Sequence, residues 1–338
     1  MKNRAVIFNA PFSAQLQTGN EDEILLENDE LLCETQFSLI SPGTELAIYK
    51  GTEAWAPLPY NPGYAGIGII RKAGEGVDEF NEGQIVFHYS AHKQWTRVST
   101  RDVVVKIADG VNLKQALFIR MAAVSITALR VAPIELGDSV VVVGMGLVGN
   151  LAAQLYALAG AKVIGVDISE ERLALAEECG IRHTVNPAKT NVRDTVRNIT
   201  GGEYADVTVD ATGVPSLIES AFTYTKPAGD VVLLGSPRGT FEADITSLLN
   251  KVHLWGENGC VSLKGAHEWR YPVKPTAGCK HSIQRNCEII HDLIAADQLK
   301  VKPLISHVLS PDKCQDAYQG LLNNKDEYAG VIFDWQIK

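Results

Sequence analysis

Three glycines, Gly144, Gly146 and Gly149, stand in the spacing GxGxxG, and Asp167 follows at roughly the distance expected of a ribose-binding acid, about twenty residues on. Each residue type in this pattern has a mechanical job. Gly144 permits a tight turn out of a strand, Gly146 lets a pyrophosphate approach bare backbone, and Gly149 lets a helix pack closely on a sheet. The N-terminus of that helix offers free N–H groups and a positive dipole end to phosphate oxygens. A carboxylate closing the next strand can accept hydrogen bonds from ribose hydroxyls. The chemistry implied is dinucleotide binding.

The pattern means little unless a strand precedes it and a helix follows. Ser139–Val143 is short and β-branched, so it reads as a strand; 151–159 is apolar and helical; Lys162–Val166 reads as a second strand ending at Asp167. Ser169 then suits a helix N-cap, with Glu170 and Glu171 in the first turn and Gly180 past the end. Two other readings compete. One is a glycine-rich turn in an ordinary α/β protein. The other is the S-adenosylmethionine methyltransferase fold, whose members usually carry an acid two places before the first glycine, where this chain has Val142.

Further along, 205–213 and 229–236 read as strands around the helical SLIESAFTYT, and an edge strand is expected within 253–261. This alternation means a parallel sheet covered on both faces. Ahead of it, to about residue 130, AVIFN, ILLEN, ETQFSLI, GIGIIRKAG, QIVFHYS and DVVVKI are short β-prone runs. Between them lie two segments read as loops, 41–51 (SPGTELAIYKG) and 61–66 (NPGYAG), and 115–132 reads as helix. A less regular stretch spans 264–286; helix and then strand, helix, strand close the chain.

The 338 residues allow two domains, and 46% hydrophobic with 21% charged residues is ordinary for a globular protein. A net charge of −9, from 31 basic and 40 acidic residues, argues against nucleic acid as the main partner. No apolar run is long enough to span a bilayer, and no secretory signal is evident at the start. The six cysteines form no CxxC pair, so free thiols in a reducing, cytoplasmic compartment are expected, most of them small buried hydrophobes.

A β-rich front, a nucleotide fold from about residue 139 and a short return of strand and helix resemble the medium-chain dehydrogenase/reductase superfamily, the fold of zinc alcohol and polyol dehydrogenases and quinone oxidoreductases. GTELAIYKG, PGYAGIGII, the segment from VVVVGMGLVGN to EECG, and PLISHVLSPDKCQDAYQGL carry the resemblance. It implies an α/β chain with a β-rich GroES-like catalytic domain (1–132 and 281–338) and a Rossmann doubly wound parallel-sheet domain (133–280). It also implies a homodimer and a small-molecule substrate. The cofactor-binding residues would be Gly144, Gly146, Leu147, Val148, Gly149, Asp167, Ile168, Arg172, Ala211 and Gly235. NAD is expected over NADP because Asp167 repels a 2′-phosphate, with Arg172 as the residue that could reverse the preference.

Zinc members place a Cys, a His and a third ligand where this chain has Pro42, Tyr64 and Arg120, and no four-cysteine lobe is present. Pro, Tyr and Arg do not suit a catalytic zinc. The resemblance therefore implies a zinc-free oxidoreductase moving a hydride between NAD(H) and an alcohol or carbonyl carbon. Its candidate catalytic residues are Thr44 (the family's proton-relaying hydroxyl), Tyr64, Arg120 and His88. Each also has a plain alternative: a backbone-capping hydroxyl, a space-filling ring, a surface charge and a packed imidazole. His92 is weighed with His88, and Glu45 is read as structural. The rival functions are an NADPH-dependent quinone or enone reductase and a nucleotide-binding sensor or structural protein without turnover.

Overall fold

The computed structural model describes residues 2–20, 24–256 and 258–337. The chain forms two compact units, Met1–Arg120 with Tyr271–Asp297 and Leu304–Lys338, and Met121–Arg270 with Gln298–Pro303. These boundaries differ from 132/133 and 280/281. The helix that crosses 120/121 sends Ala128 into the core of the second unit, joined there by Ala132 just past its end, which draws the chain from Met121 onward with it.

In the first unit, β1 (Lys2–Ala10) and β2 (Ser13–Asn20) form an antiparallel hairpin. A larger sheet contains β3 (Glu30–Leu39), β4 (Gly66–Ala73), β5 (Ile85–His88), β6 (Trp95–Ser99), β7 (Val104–Lys106), β14 (Ile305–Leu309) and β15 (Gly330–Asp334). Its order is β14-β15-β3-β4-β5-β7, with β6 paired to β3. Helices α1 (Pro42–Tyr49), α2 (Leu113–Ala116), α9 (Ile283–Ala295) and α10 (Cys314–Asn323) belong to this unit, and α3 (Ile119–Val131) leaves it. One core joins Phe8, Ile40, Ile48, Tyr49, Tyr318 and Phe333; another joins Leu31, Cys33, Ile70, Val86 and Val98.

The second unit is a parallel sheet of β8 (Ser139–Val143), β9 (Lys162–Val166), β10 (His183–Val185), β11 (Ala205–Asp210), β12 (Thr225–Leu233) and β13 (Ser262–Gly265), in the order β10-β9-β8-β11-β12-β13. Helices α4 (Leu147–Leu158), α5 (Glu170–Glu178), α6 (Val192–Ile199), α7 (Ile218–Tyr224) and α8 (Ile245–His253) accompany it. The unbroken valines of β8 follow from coverage on both faces. Val140 and Val142 pack with Ala152, Tyr156 and Val209, while Val141 packs with Ile164, Val185 and Val196. Full burial of each such side chain is worth about 1.5–3 kcal/mol. Strand order reverses at β8, so the crevice beyond the carboxyl ends of β8 and β11 is the natural ligand position.

Three local expectations are corrected. ILLEN (24–28) forms no strand; the pairing strand is the more polar β2, held by its register with β1 rather than by an apolar run. The 41–51 segment is largely a helix, started by Pro42, whose missing N–H costs nothing in the first turn. The edge strand is β13, not 253–261, because Asn258 and Cys260 both take positive φ (56° and 53°) and turn the chain before pairing begins. Among the described residues no cysteine is in a disulfide, and Cys33, Cys179, Cys287 and Cys314 are buried. Among the described residues no helix is long and apolar enough to cross a membrane.

Candidate active site

Tyr64 is delivered by a backbone that only glycine permits. Gly63 has φ +103°, and a Cβ there would lie 2.5 Å from the His92 backbone nitrogen. The same close pass lets the His92 N–H donate to the Pro62 carbonyl at 2.8 Å. Held this way, the Tyr64 phenol donates a hydrogen bond to Ser41 Oγ. Thr44, on α1, lies near enough to the phenol to help hold its pKa down.

Arg120 lies over the Tyr64 ring, its guanidinium carbon 4.7 Å from the ring centroid and 4.4 Å from that of Tyr89. Its Nη1 donates to the Tyr89 hydroxyl at 3.3 Å, and that hydroxyl meets Cys287 Sγ at 3.4 Å. Arg120 is only 7% exposed, so it is not a surface helix charge. A desolvated guanidinium between two aromatic faces gains about 2 kcal/mol or more per good contact. The first unit therefore brings Thr44, Tyr64 and Arg120 together. Burial pushes the Tyr64 phenol above its usual range; Arg120, Ser41 and Thr44 pull it back, while the Glu45 charge opposes them.

Glu45 explains why α1 sits still. It is fully buried, and its Oε1 accepts the Ser41 N–H at 2.8 Å. Its Oε2 accepts the Tyr318 hydroxyl at 2.6 Å and pairs with His92 Nε2 at 3.0 Å. His92 Nδ1 meets Ser38 Oγ at 2.8 Å, and the Trp335 indole N–H donates to the same oxygen at 3.0 Å. The carboxylate can only accept, so the ring donates from Nε2 to Glu45, and Nδ1 of the neutral ring is left to accept the Ser38 hydroxyl. Both carboxylate oxygens are thus committed to donors of this chain.

His88 lies elsewhere on the sheet. It ends β5 opposite Gly66, and its ring fills the space above Gly66 and Gly68, where added Cβ atoms would approach it to 2.5 and 3.2 Å. It has no exposed surface, and neither ring nitrogen has a hydrogen-bond partner among the described residues. Burial pushes its pKa down to about 4. A neutral imidazole sealed from solvent has no route for a proton, so the acid–base role considered for His88 is set aside in favour of packing.

In the second unit the glycine loop has the geometry its spacing implies. Gly144 has φ +93°, and a Cβ on Gly149 would lie 1.7 Å from the Gly144 carbonyl oxygen. Around Gly146, which caps α4, no atom lies within 4 Å of a Cβ position, leaving open space where phosphate oxygens could sit. Leu147 and Val148 open α4, and the Val148 carbonyl accepts the Ser125 hydroxyl at 2.8 Å. Asp167 Oδ2 accepts the Met145 N–H at 2.7 Å, and Oδ1 accepts the Ser169 N–H at 2.9 Å. The remaining lone pairs of this carboxylate are available to ribose hydroxyls. Arg172 Nη1 stands 3.7 Å from Asp167 Oδ2, and Ile168 beside it is 77% exposed. At the ends of β11 and β12, Ala211 N–H donates to Val143 O at 2.9 Å and Gly235 N–H to Asp210 O at 2.8 Å. These residues fit a dinucleotide.

A metal fits less well. Pro42 has no donor atom to give, Arg120 has no lone pair, and Tyr64 would have to lose a proton that burial holds tightly. Glu45 and His92 supply only two ligands, already bonded to Tyr318, Ser41 and Ser38. Sequence reasoning missed Ser41 and Tyr89. Ser41 stood next to a helix-starting proline, a signal that a hydroxyl there is held in place; Tyr89 carried no signal.

Residues 148–270 match the family profile described as zinc-binding dehydrogenase. An uncharacterized zinc-type alcohol dehydrogenase-like protein of Haemophilus influenzae is 32% identical over 136 residues, 40% of each chain. An alcohol dehydrogenase of Geobacillus stearothermophilus is 28% identical over 232 residues, covering 59% of this chain and 68% of that protein. The crystal structure of galactitol-1-phosphate dehydrogenase from Escherichia coli superposes with a TM-score of 0.83 at 19% identity, over 98% of this chain and 99% of that one, a likeness of fold.

Proposed function

We propose, from the premise that the chain belongs to the zinc-type alcohol dehydrogenase-like group of the medium-chain dehydrogenase/reductase superfamily, that it is a zinc-independent oxidoreductase acting on an alcohol–carbonyl pair with NAD(H). The observation that carries this reading is Tyr64, a phenol hydrogen-bonded to Ser41 under a buried guanidinium, standing at a position where zinc members have a ligand. The nicotinamide, when bound, supplies or takes the hydride. Tyr64 and Thr44 handle the proton of the substrate oxygen, and Arg120 supplies positive charge to offset the developing negative charge. The glycine loop and Asp167 hold the nucleotide.

The direct test is a panel of alcohols and carbonyl compounds assayed by NADH formation or consumption, with metal analysis of protein purified without a histidine tag. Turnover that survives chelators, with zinc well below one atom per subunit, is the expected result. Stoichiometric zinc lost together with activity would mean an ordinary metal mechanism. NADH bound and never consumed would favour a sensor.

Cofactor preference follows from Asp167. A 2′-phosphate would meet its carboxylate, and Arg172 is already drawn toward that same group. NADH is expected to bind about tenfold or more tightly than NADPH, which calorimetric titration of both would measure. Equal or tighter NADPH binding overturns this preference and favours a quinone or enone reductase. In solution the protein is expected to be a homodimer. The outer edge of β13 has no strand partner among the described residues, and Leu249, Leu254 and Leu263 are exposed nearby in sequence. An unpaired edge beside exposed apolar side chains favours pairing with a second copy. Light scattering at micromolar concentration should give twice the chain mass; a monomer mass would refute it.

A further inference from the structure

Ser41 occupies the N-cap of α1, where a serine hydroxyl ordinarily accepts a backbone N–H of the first turn. Here its side chain makes no capping bond. Its Oγ instead receives the Tyr64 phenol. The backbone of Ser41 is fixed separately, by Glu45 Oε1 on its N–H and by its carbonyl accepting Glu45 N–H at 3.0 Å. Ser41 is buried and Glu45 fully so, which leaves the hydroxyl rotation about Cβ–Oγ as its free motion. The helix has given up a side-chain cap, usually worth about 1 kcal/mol, to aim this oxygen at Tyr64.

Resting on the proposed role of Tyr64, we propose that Ser41 is the positioning residue for proton transfer: it holds the phenolic proton in the resting state and becomes the hydrogen-bond donor to the phenolate after the proton has left. In the step itself the Tyr64 O–H bond breaks and the proton passes to an oxyanion on the substrate. The bonding electron pair stays on the phenolate oxygen. Ser41 Oγ–H then turns to donate to that oxygen, and Arg120 lies over the ring as a fixed positive charge. Water later returns a proton to the phenolate. A hydroxyl suits the task because it can accept in one state and donate in the other, which an amide N–H cannot. Hydrogen bonds to an ionised group are roughly twice as strong as neutral ones, so the switch favours the state after transfer.

The test needs no substrate. Difluorotyrosine placed at position 64 of the full chain ionises nearer neutrality than tyrosine, and its fluorine resonance reports that ionisation directly. In Ser41→Ala the midpoint should rise by about one unit, a tenfold weaker acid, because the phenolate loses a donor. Ser41→Thr, which keeps the hydroxyl, should bring it back, and Ser41→Cys, with a weak S–H donor of similar size, should fall between the two. Circular dichroism should be the same in all four proteins. A midpoint unmoved in both Ser41→Ala and Ser41→Cys overturns the assignment. So does a Ser41→Thr midpoint as high as that of alanine. Should Ser41→Ala fail to fold, the cysteine and threonine variants decide on their own. The oxidoreductase reading fails separately, as absence of NADH turnover across the panel, and that result leaves the fluorine titration intact.

Discussion

Replacing Tyr64 by Phe is expected to lower kcat by about 10² to 10⁴ while leaving the dissociation constant of NADH unchanged. The substitution keeps the ring under Arg120 and removes only the oxygen that meets Ser41. Loss of one positioned proton donor has that size because the transferred proton must then come from loosely held water. The fold should not suffer, since an aromatic ring still fills the space. The measurement is steady-state turnover on whichever alcohol or carbonyl compound the wild-type enzyme accepts, with cofactor affinity measured beside it. The phenol sits above its usual range, so it remains protonated through neutral pH and the reducing direction should show no loss of rate from Tyr64 there. Activity within a few-fold of wild type would show that the proton comes from elsewhere.

His88 should make the protein acid-sensitive. In the unfolded chain its pKa lies near 6.5, and in the folded protein burial lowers it to about 4. Below pH 6.5 the unfolded chain therefore binds a proton that the folded protein refuses. Stability from this group is fully present above pH 6.5 and is lost as pH falls toward 4, by about 3 kcal/mol in all. His88→Leu removes the titration and keeps an apolar filling over Gly66 and Gly68. Urea unfolding of both proteins across this range should show the wild type losing more stability than the variant as pH falls. Parallel curves would mean that the imidazole reaches solvent or a partner. The sign is opposite to that of an ion-paired histidine, whose contribution would be lost as pH rises.

The nucleotide half was legible because its information is local. Gly144 needs its positive φ and Gly149 its close approach to the Gly144 carbonyl within one turn and one helix, and the valines of β8 announce a strand buried on both faces. Ser169 capping α5 is equally short-range, with its Oγ accepting the Arg172 N–H at 3.2 Å. Where local signals are weak, sequence pattern and structure part. β2 is polar and owes its existence to β1. ILLEN has no strand partner among the described residues. The turn before β13 rests on two left-handed residues that composition does not advertise.

The residues of the candidate site belong to the other class. Thr44, Tyr64 and Arg120 were named from the sequence by their matched positions, but nothing along the chain says that a guanidinium at 120 lies between rings at 64 and 89, or that a thiol at 287 meets one of them. Nor does it say that Ser41 turns its hydroxyl away from its own helix, or that His88, equally plausible as an acid or base, is sealed over two glycines. The sequence by itself determined the dinucleotide fingerprint and the alternation of strand and helix around it, because residue type and spacing decide these; that Pro42, Tyr64 and Arg120 stand where zinc ligands would is what the family resemblance implies. Only the tertiary structure decided which polar groups face one another and which are shut away, because hydrogen bonding and desolvation depend on neighbours brought from distant parts of the chain.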